Sequence, residues 1–139
     1  MKTLKISHIG IAVPRIEEQL AFYRDTLSLP FVGVEEVPSQ QVRVAFFSVG
    51  ESNIELLEPT TPESPIQKFL DANQGKARIH HIAYEVEDIE AALAAMKRQG
   101  LRLVDETPRE GAGGVRIAFV HPRAAGGILT ELCEHPKAP

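Results

Sequence analysis

Apolar positions along the chain follow two periods. In residues 5–13, "KISHIGIAV", they alternate, placing Ile9, Ile11 and Val13 on one side of a strand and His8, Gly10 and Ala12 on the other. Ile16, Leu20, Tyr23 and Leu27 then recur at helical spacing. Three β-rich runs follow, at about 31–37, 42–49 and 53–58. From Arg78 the same order returns. A strand spans 78–86, and Ile89, Leu93 and Met96 mark a helix behind Asp88 as N-cap. Further β-rich runs lie at about 101–107, 115–121 and 128–134, with a glycine-rich turn at 109–114. Each half therefore predicts a βαβββ module. Between them, Ser64, Pro65 and Gln67 read as a capping box with proline in the first helical position, predicting a short helix over 65–72.

The two halves match in residues as well as in period. Sliding the chain by 73 positions aligns 5–23 with 78–96 without a gap, and eight of the nineteen pairs are identical. The same offset carries "VAFFSVG" at Val44 onto "IAFVHPR" at Ile117. After a three-residue insertion "IELLEP" falls on "TELCEHP", pairing Glu55 with Glu131. The chain is a tandem duplication. We expect an α+β fold in which two tandem βαβββ modules pair into one curved, barrel-like mixed sheet. Residues 1–139 would form one domain, with module 1 at about 5–59, a linker helix region at 60–77 and module 2 at about 78–135.

Duplication changes the weight of four polar residues. His8 and His81 stand at equivalent strand positions, and Glu55 and Glu131 likewise lie opposite their apolar neighbours. One histidine in a strand is ordinarily a half-buried surface residue. Two imidazoles and two carboxylates related by a pseudo-two-fold axis can converge, and that donor set suits a divalent metal such as Co²⁺, Ni²⁺, Zn²⁺, Mn²⁺ or Fe²⁺. The other histidines are read as structural: His80 as a neighbour of the site or a packing residue, His121 as a turn residue, His135 as solvated.

Composition narrows the partners. A formal charge of −4, with fifteen Lys and Arg scattered and no basic run, argues against nucleic acid. The lone Cys133 permits no internal disulfide, sits in an apolar run as buried filler, and points to a reducing, cytoplasmic setting. No apolar run approaches the ~18 residues of a membrane span. Residues 1–13 are basic, but Ser7 and His8 interrupt the apolar part and Pro14 closes it, so they read as a first strand and not a signal peptide.

Strand histidine first and strand glutamate last, in paired βαβββ modules, resembles the vicinal oxygen chelate (glyoxalase/bleomycin resistance/dioxygenase) superfamily. Within it the chain is similar to the methylmalonyl-CoA epimerases through "HIGIAV", "IELLEP" with "ESPIQKFL", "HHIAYEVEDIEAAL" and "GAGGVRIAFVHPRAAGGILTEL". The resemblance implies one divalent ion per chain, Co²⁺ first among the candidates, held by His8, His81, Glu131 and, at the fourth position, Glu55. It further implies 1,1-proton transfer at C2 of an acyl-CoA substrate, with Glu131 as base and Glu55 as its symmetry mate, and a homodimer. Some epimerases carry a second catalytic glutamate on the strand of residues 42–46, where this chain has Arg43 and Val44. Arg116 is a candidate for the CoA phosphates. The alternatives are glyoxalase I-type lactoylglutathione lyase activity, whose four ligand types also match, and a non-enzymatic small-molecule binder of the same fold.

Overall fold

The structure, a computed structural model, describes residues 1–137. Contacts divide the chain into two compact units: residues 8–80, and Met1–Ser7 together with the chain from His81 onward.

In the unit of residues 8–80, strands β1 (Thr3–Ala12), β2 (Phe31–Val37), β3 (Val42–Val49) and β4 (Ser52–Pro59) are hydrogen-bonded in the order β2-β3-β4-β1. The β2/β3 and β3/β4 pairs are antiparallel and β4/β1 is parallel. A parallel pair needs a long crossover. The expected α-helix is here a 3₁₀ turn at Ile16–Gln19 followed by a π-helix at Ala21–Thr26, with Leu27 N donating to Phe22 O at 2.8 Å. The wider turn carries the apolar stripe away from α spacing. Ile16 is buried, Leu20 and Tyr23 pack on the core, and Leu27 is left exposed. That core is Val13, Ile16, Ala45, Phe47 and Leu56.

Helix α1 (Pro65–Ala72) has the expected bounds, and buries Ile66 and Leu70. The buried Ser64 hydroxyl accepts from Ile66 N at 3.2 Å. The reciprocal half of the capping box is not made: Ser64 N donates to Thr61 O, and the Gln67 amide donates to Asp71 Oδ1 at 3.0 Å.

The other unit repeats the plan with β5 (Arg78–Val86), α2 (Ile89–Arg98), β6 (Arg109–Glu110), β7 (Arg116–Val120) and β8 (Thr130–Glu134), in the order β5-β8-β7-β6. Again the outer pairs are antiparallel and β5/β8 is parallel. Met1–Ser7 belongs to this unit, where Glu87 N donates to Lys2 O at 3.0 Å. Asp88 caps α2 as expected, accepting from Ala91 N at 3.0 Å. The helix covers Val86, Ala118, Val120 and Leu132. Cys133 is wholly buried beside Ala83 and Ile117, as apolar filler should be.

The strand expected at 101–107 is not a strand. It keeps one bridge, Leu103 to Val120. Val104 N and Asp105 N both donate to Phe119 O, while the Asp105 carboxylate accepts from Phe119 N at 2.8 Å. A side chain thus takes the place of a main-chain partner, and the ladder cannot continue. The hairpin shrinks to β6 and β7, turning through Gly113 and Gly114 at φ 70° and 72°.

Candidate functional site

Each unit builds a His–Glu pair from the same strand positions, though through different ring nitrogens. In one, His8 on β1 places Nδ1 3.2 Å from Oε2 of Glu55 on β4. In the other, His81 on β5 places Nε2 3.2 Å from Oε1 of Glu131 on β8. All four are buried residues. The strand face that alternation marks as polar is therefore covered, with Ala12 at the end of β1 and Ala83, two residues after His81, wholly buried on it.

The register explains the geometry. Parallel pairing sets Gly10 against Glu55 and Ala83 against Glu131, so each carboxylate lies beside a small residue two positions after the histidine. On the other side, antiparallel pairing sets Phe46 against Glu55 and Phe119 against Glu131. Directly opposed residues share a face. Each glutamate is thus flanked by a small residue and a phenylalanine, and the Phe119 ring meets His81 edge-on with centroids 5.3 Å apart. An aromatic wall lowers the local dielectric around a carboxylate and an imidazole and strengthens whatever charge they bind.

The spacing is compatible with a hydrogen-bonded pair and with two ligands sharing one ion. A charge-assisted N–H···O bond settles at about 2.7–2.9 Å. Two donors ~2.0–2.2 Å from one ion, at angles between octahedral and tetrahedral, lie about 3.0–3.4 Å apart. Both pairs, at 3.2 Å, lie within reach of the second range, a distance that the surface pair His135–Glu85 also has; it is burial and duplication that set the site pairs apart. Imidazole and carboxylate are also the donors that divalent first-row metals take. His8 with Glu55 in one unit, and His81 with Glu131 in the other, are each a pair of donors that could ligate a metal ion.

Other expected residues go elsewhere. Val44 is buried, and Arg43 donates to Glu58 at 2.9 Å and lies 3.8 Å from Glu17; neither side chain carries a carboxylate. Arg116 lies 3.1 Å from Glu90 and 3.7 Å from Glu134. His80 packs edge-on against Phe69, a packing role. His121 is a turn residue, its Nδ1 accepting from Arg123 N at 3.1 Å. His135 is not simply solvated: its Nε2 lies 3.2 Å from Glu85.

Two duplicated features escaped the reading of the chain. One is the Phe46/Phe119 wall, visible in the aligned "AFF" and "AFV" but indistinguishable there from core. The other is a clamp three residues beyond each site glutamate. Glu58 accepts from Ile16 N at 2.8 Å and from Arg43; Glu134 accepts from Ile89 N at 2.9 Å and faces Arg116. Each carboxylate satisfies an N-terminal amide of its crossover segment, tying the glutamate-bearing strand to it.

The pattern of the Glyoxalase/Bleomycin resistance protein/Dioxygenase superfamily matches residues 7–119. An ethylmalonyl-CoA/methylmalonyl-CoA epimerase of Cereibacter sphaeroides is 40% identical over 92% of this chain and 96% of its own. A crystal structure of methylmalonyl-CoA epimerase from Mycobacterium tuberculosis is 36% identical, with a TM-score of 0.90 over 97% of this chain and 90% of that one. A methylmalonyl-CoA epimerase in complex with methylmalonyl-CoA and NH₄⁺ is 35% identical, with a TM-score of 0.90 over 99% and 100%. The eight-stranded mixed sheet with few helices is thereby that of the vicinal oxygen chelate fold. No helix among the described residues is long and apolar enough to cross a membrane.

Proposed function

For a chain that belongs to the glyoxalase/bleomycin resistance protein/dioxygenase superfamily and, within it, to the methylmalonyl-CoA epimerases, we propose that the two His–Glu pairs serve one metal-dependent site interconverting (R)- and (S)-methylmalonyl-CoA. The observation that carries this reading is the duplicated, buried His–Glu pair. In this reading residues 1–139 act as one domain, a cytoplasmic homodimer.

His8, His81, Glu131 and Glu55 would hold one divalent ion, Co²⁺ first and Ni²⁺, Zn²⁺ or Mn²⁺ after it. When bound, the ion supplies electrostatic stabilisation of the negative charge that develops on the thioester oxygen, often worth several kcal/mol. The rest falls to the chain. C2 of the substrate lies between a thioester carbonyl and a carboxylate, so its proton is acidic enough for a carboxylate base. Glu131 takes that proton, a role worth roughly 10²–10⁴-fold. Glu55, its symmetry mate, enters as the carboxylic acid and gives its proton to the opposite face of the same carbon, so that one glutamate ends protonated and the other ionised. The Phe46 and Phe119 walls keep water from competing for the planar intermediate.

The test is isotope exchange. Metal-loaded protein in D₂O should wash deuterium into C2 of methylmalonyl-CoA while the epimers interconvert. Absence of exchange, with turnover of the methylglyoxal–glutathione hemithioacetal instead, would replace this reading with lactoylglutathione lyase activity. Metal binding without turnover of either substrate would leave a non-enzymatic binder.

A further inference from the structure

With Arg116 beside two carboxylates, the substrate's phosphates would gain from another partner. Two acid-free stretches run through the unit that carries Glu131. Residues 91–104 and 117–130 contain no Asp or Glu, yet hold Lys97, Arg98, Arg102, His121 and Arg123, in a chain of net charge −4. The fold joins these stretches: His121 N donates to Arg102 O at 3.1 Å, putting the two side by side. A 3₁₀ turn at Pro122–Ala124 then folds Arg123 back on His121, with Arg123 N donating to His121 Nδ1 at 3.1 Å. That bond fixes the tautomer, since a ring nitrogen that accepts leaves the proton on Nε2. Arg102 and Arg123 are both exposed, and among the described residues neither makes an ion pair.

The trio also stands at the right end of the sheet. Phe119 opposes Glu131 and Val120 opposes Thr130, so His121 begins just beyond the strand end nearest Glu131. Alternation gives His121 the same face as Phe119, about 7 Å further along at ~3.3 Å per residue. An arginine side chain extends the reach outward again. A thioester seated at Glu131 would run its pantetheine arm past Phe119 toward this turn.

We propose that Arg102, His121 and Arg123 form the anion site for the phosphates of the substrate's nucleotide tail. Two guanidiniums that make no ion pair and an Nε2–H donor lie near one another there, and planar, multiply donating guanidinium groups are the preferred partners of phosphate. The neighbouring charges leave a mark. His121 titrates below the ordinary imidazole value through desolvation and the positive charges of Arg102 and Arg123. A phosphate bound among them removes that repulsion. The assignment rests on the acyl-CoA reading, and the experiment separates the two.

Adenosine 3′,5′-bisphosphate, with inorganic phosphate as control, is titrated into the metal-loaded protein while the His121 ring is followed by NMR. The bisphosphate should bind and raise the His121 pKa, and the effect should vanish in R102Q/R123Q. With methylmalonyl-CoA that variant should show KM raised at least ~10-fold and kcat within about twofold. The phosphate-free methylmalonyl-pantetheine thioester should not distinguish variant from wild type. Bisphosphate binding with no turnover of methylmalonyl-CoA by wild type would sustain the anion site and overturn the epimerase reading. Turnover by wild type with KM unchanged in R102Q/R123Q, and no movement of His121, would overturn the anion site alone.

Discussion

At the scale of single residues, the four site side chains are distinguished by position more than by contacts. Glu55 and Glu131 have the same small-residue and phenylalanine neighbours, so equal roles would give equal losses on substitution. Glu131→Gln is expected to lose turnover by 10²-fold or more, and Glu55→Gln by less, in the C2 exchange assay. Equal losses would mean that both carboxylates act as bases in turn. His8→Ala and His81→Ala should each reduce metal content, about one divalent ion per chain in the parent, to near zero by elemental analysis. Retention in both variants would remove the ion from the site. These residues were readable because a repeat writes them twice in register. Leu27 was misread for want of information that a chain does not carry: a π turn displaces it.

At the scale of elements, the carboxylate clamps make the testable statement. Glu58 is nearly buried and satisfies both Ile16 N and Arg43, so Glu58→Gln weakens a charge-assisted pair and an end-of-helix acceptor together. A loss of about 1–3 kcal/mol is expected, read as a lower urea midpoint at unchanged slope. Gly111→Ala should lose a similar amount, because a Cβ there would meet Ile117 Cγ2 at 2.9 Å. Element type was legible where period and cap agree, as in α2 behind Asp88 and α1 behind Ser64. It failed at 101–107, where apolar alternation was present but Asp105 answered Phe119 N with its side chain. Hydrogen-bond competition of that kind has no period to read.

At the scale of the molecule, one proposed domain with one proposed ion predicts one transition. Unfolding should be a single cooperative step by far-UV and aromatic signals alike, and two separated steps would divide the domain. Chelation should lower its midpoint, since an ion bound only by the native state stabilises by RT ln(1 + [L]/Kd). Because each imidazole must be deprotonated to bind, the metal-dependent part of that stability should fade as pH is lowered. The division of the chain bears on how such a protein can be taken apart. The segment Met1–Ser7 packs with residues beyond His81, while Arg78, Ile79 and His80 remain with the first unit, so the two opening strands each start in one unit and finish in the other. A cut in the linker therefore yields no self-sufficient piece: the first fragment keeps its His–Glu pair but carries seven residues that belong elsewhere, and the second lacks them. An ancestor of half this length, built to the same plan, would have had to lend a strand end to a twin and borrow one back. Gene duplication would then have joined an obligate pair, making permanent in one chain an exchange that two chains had to negotiate by collision.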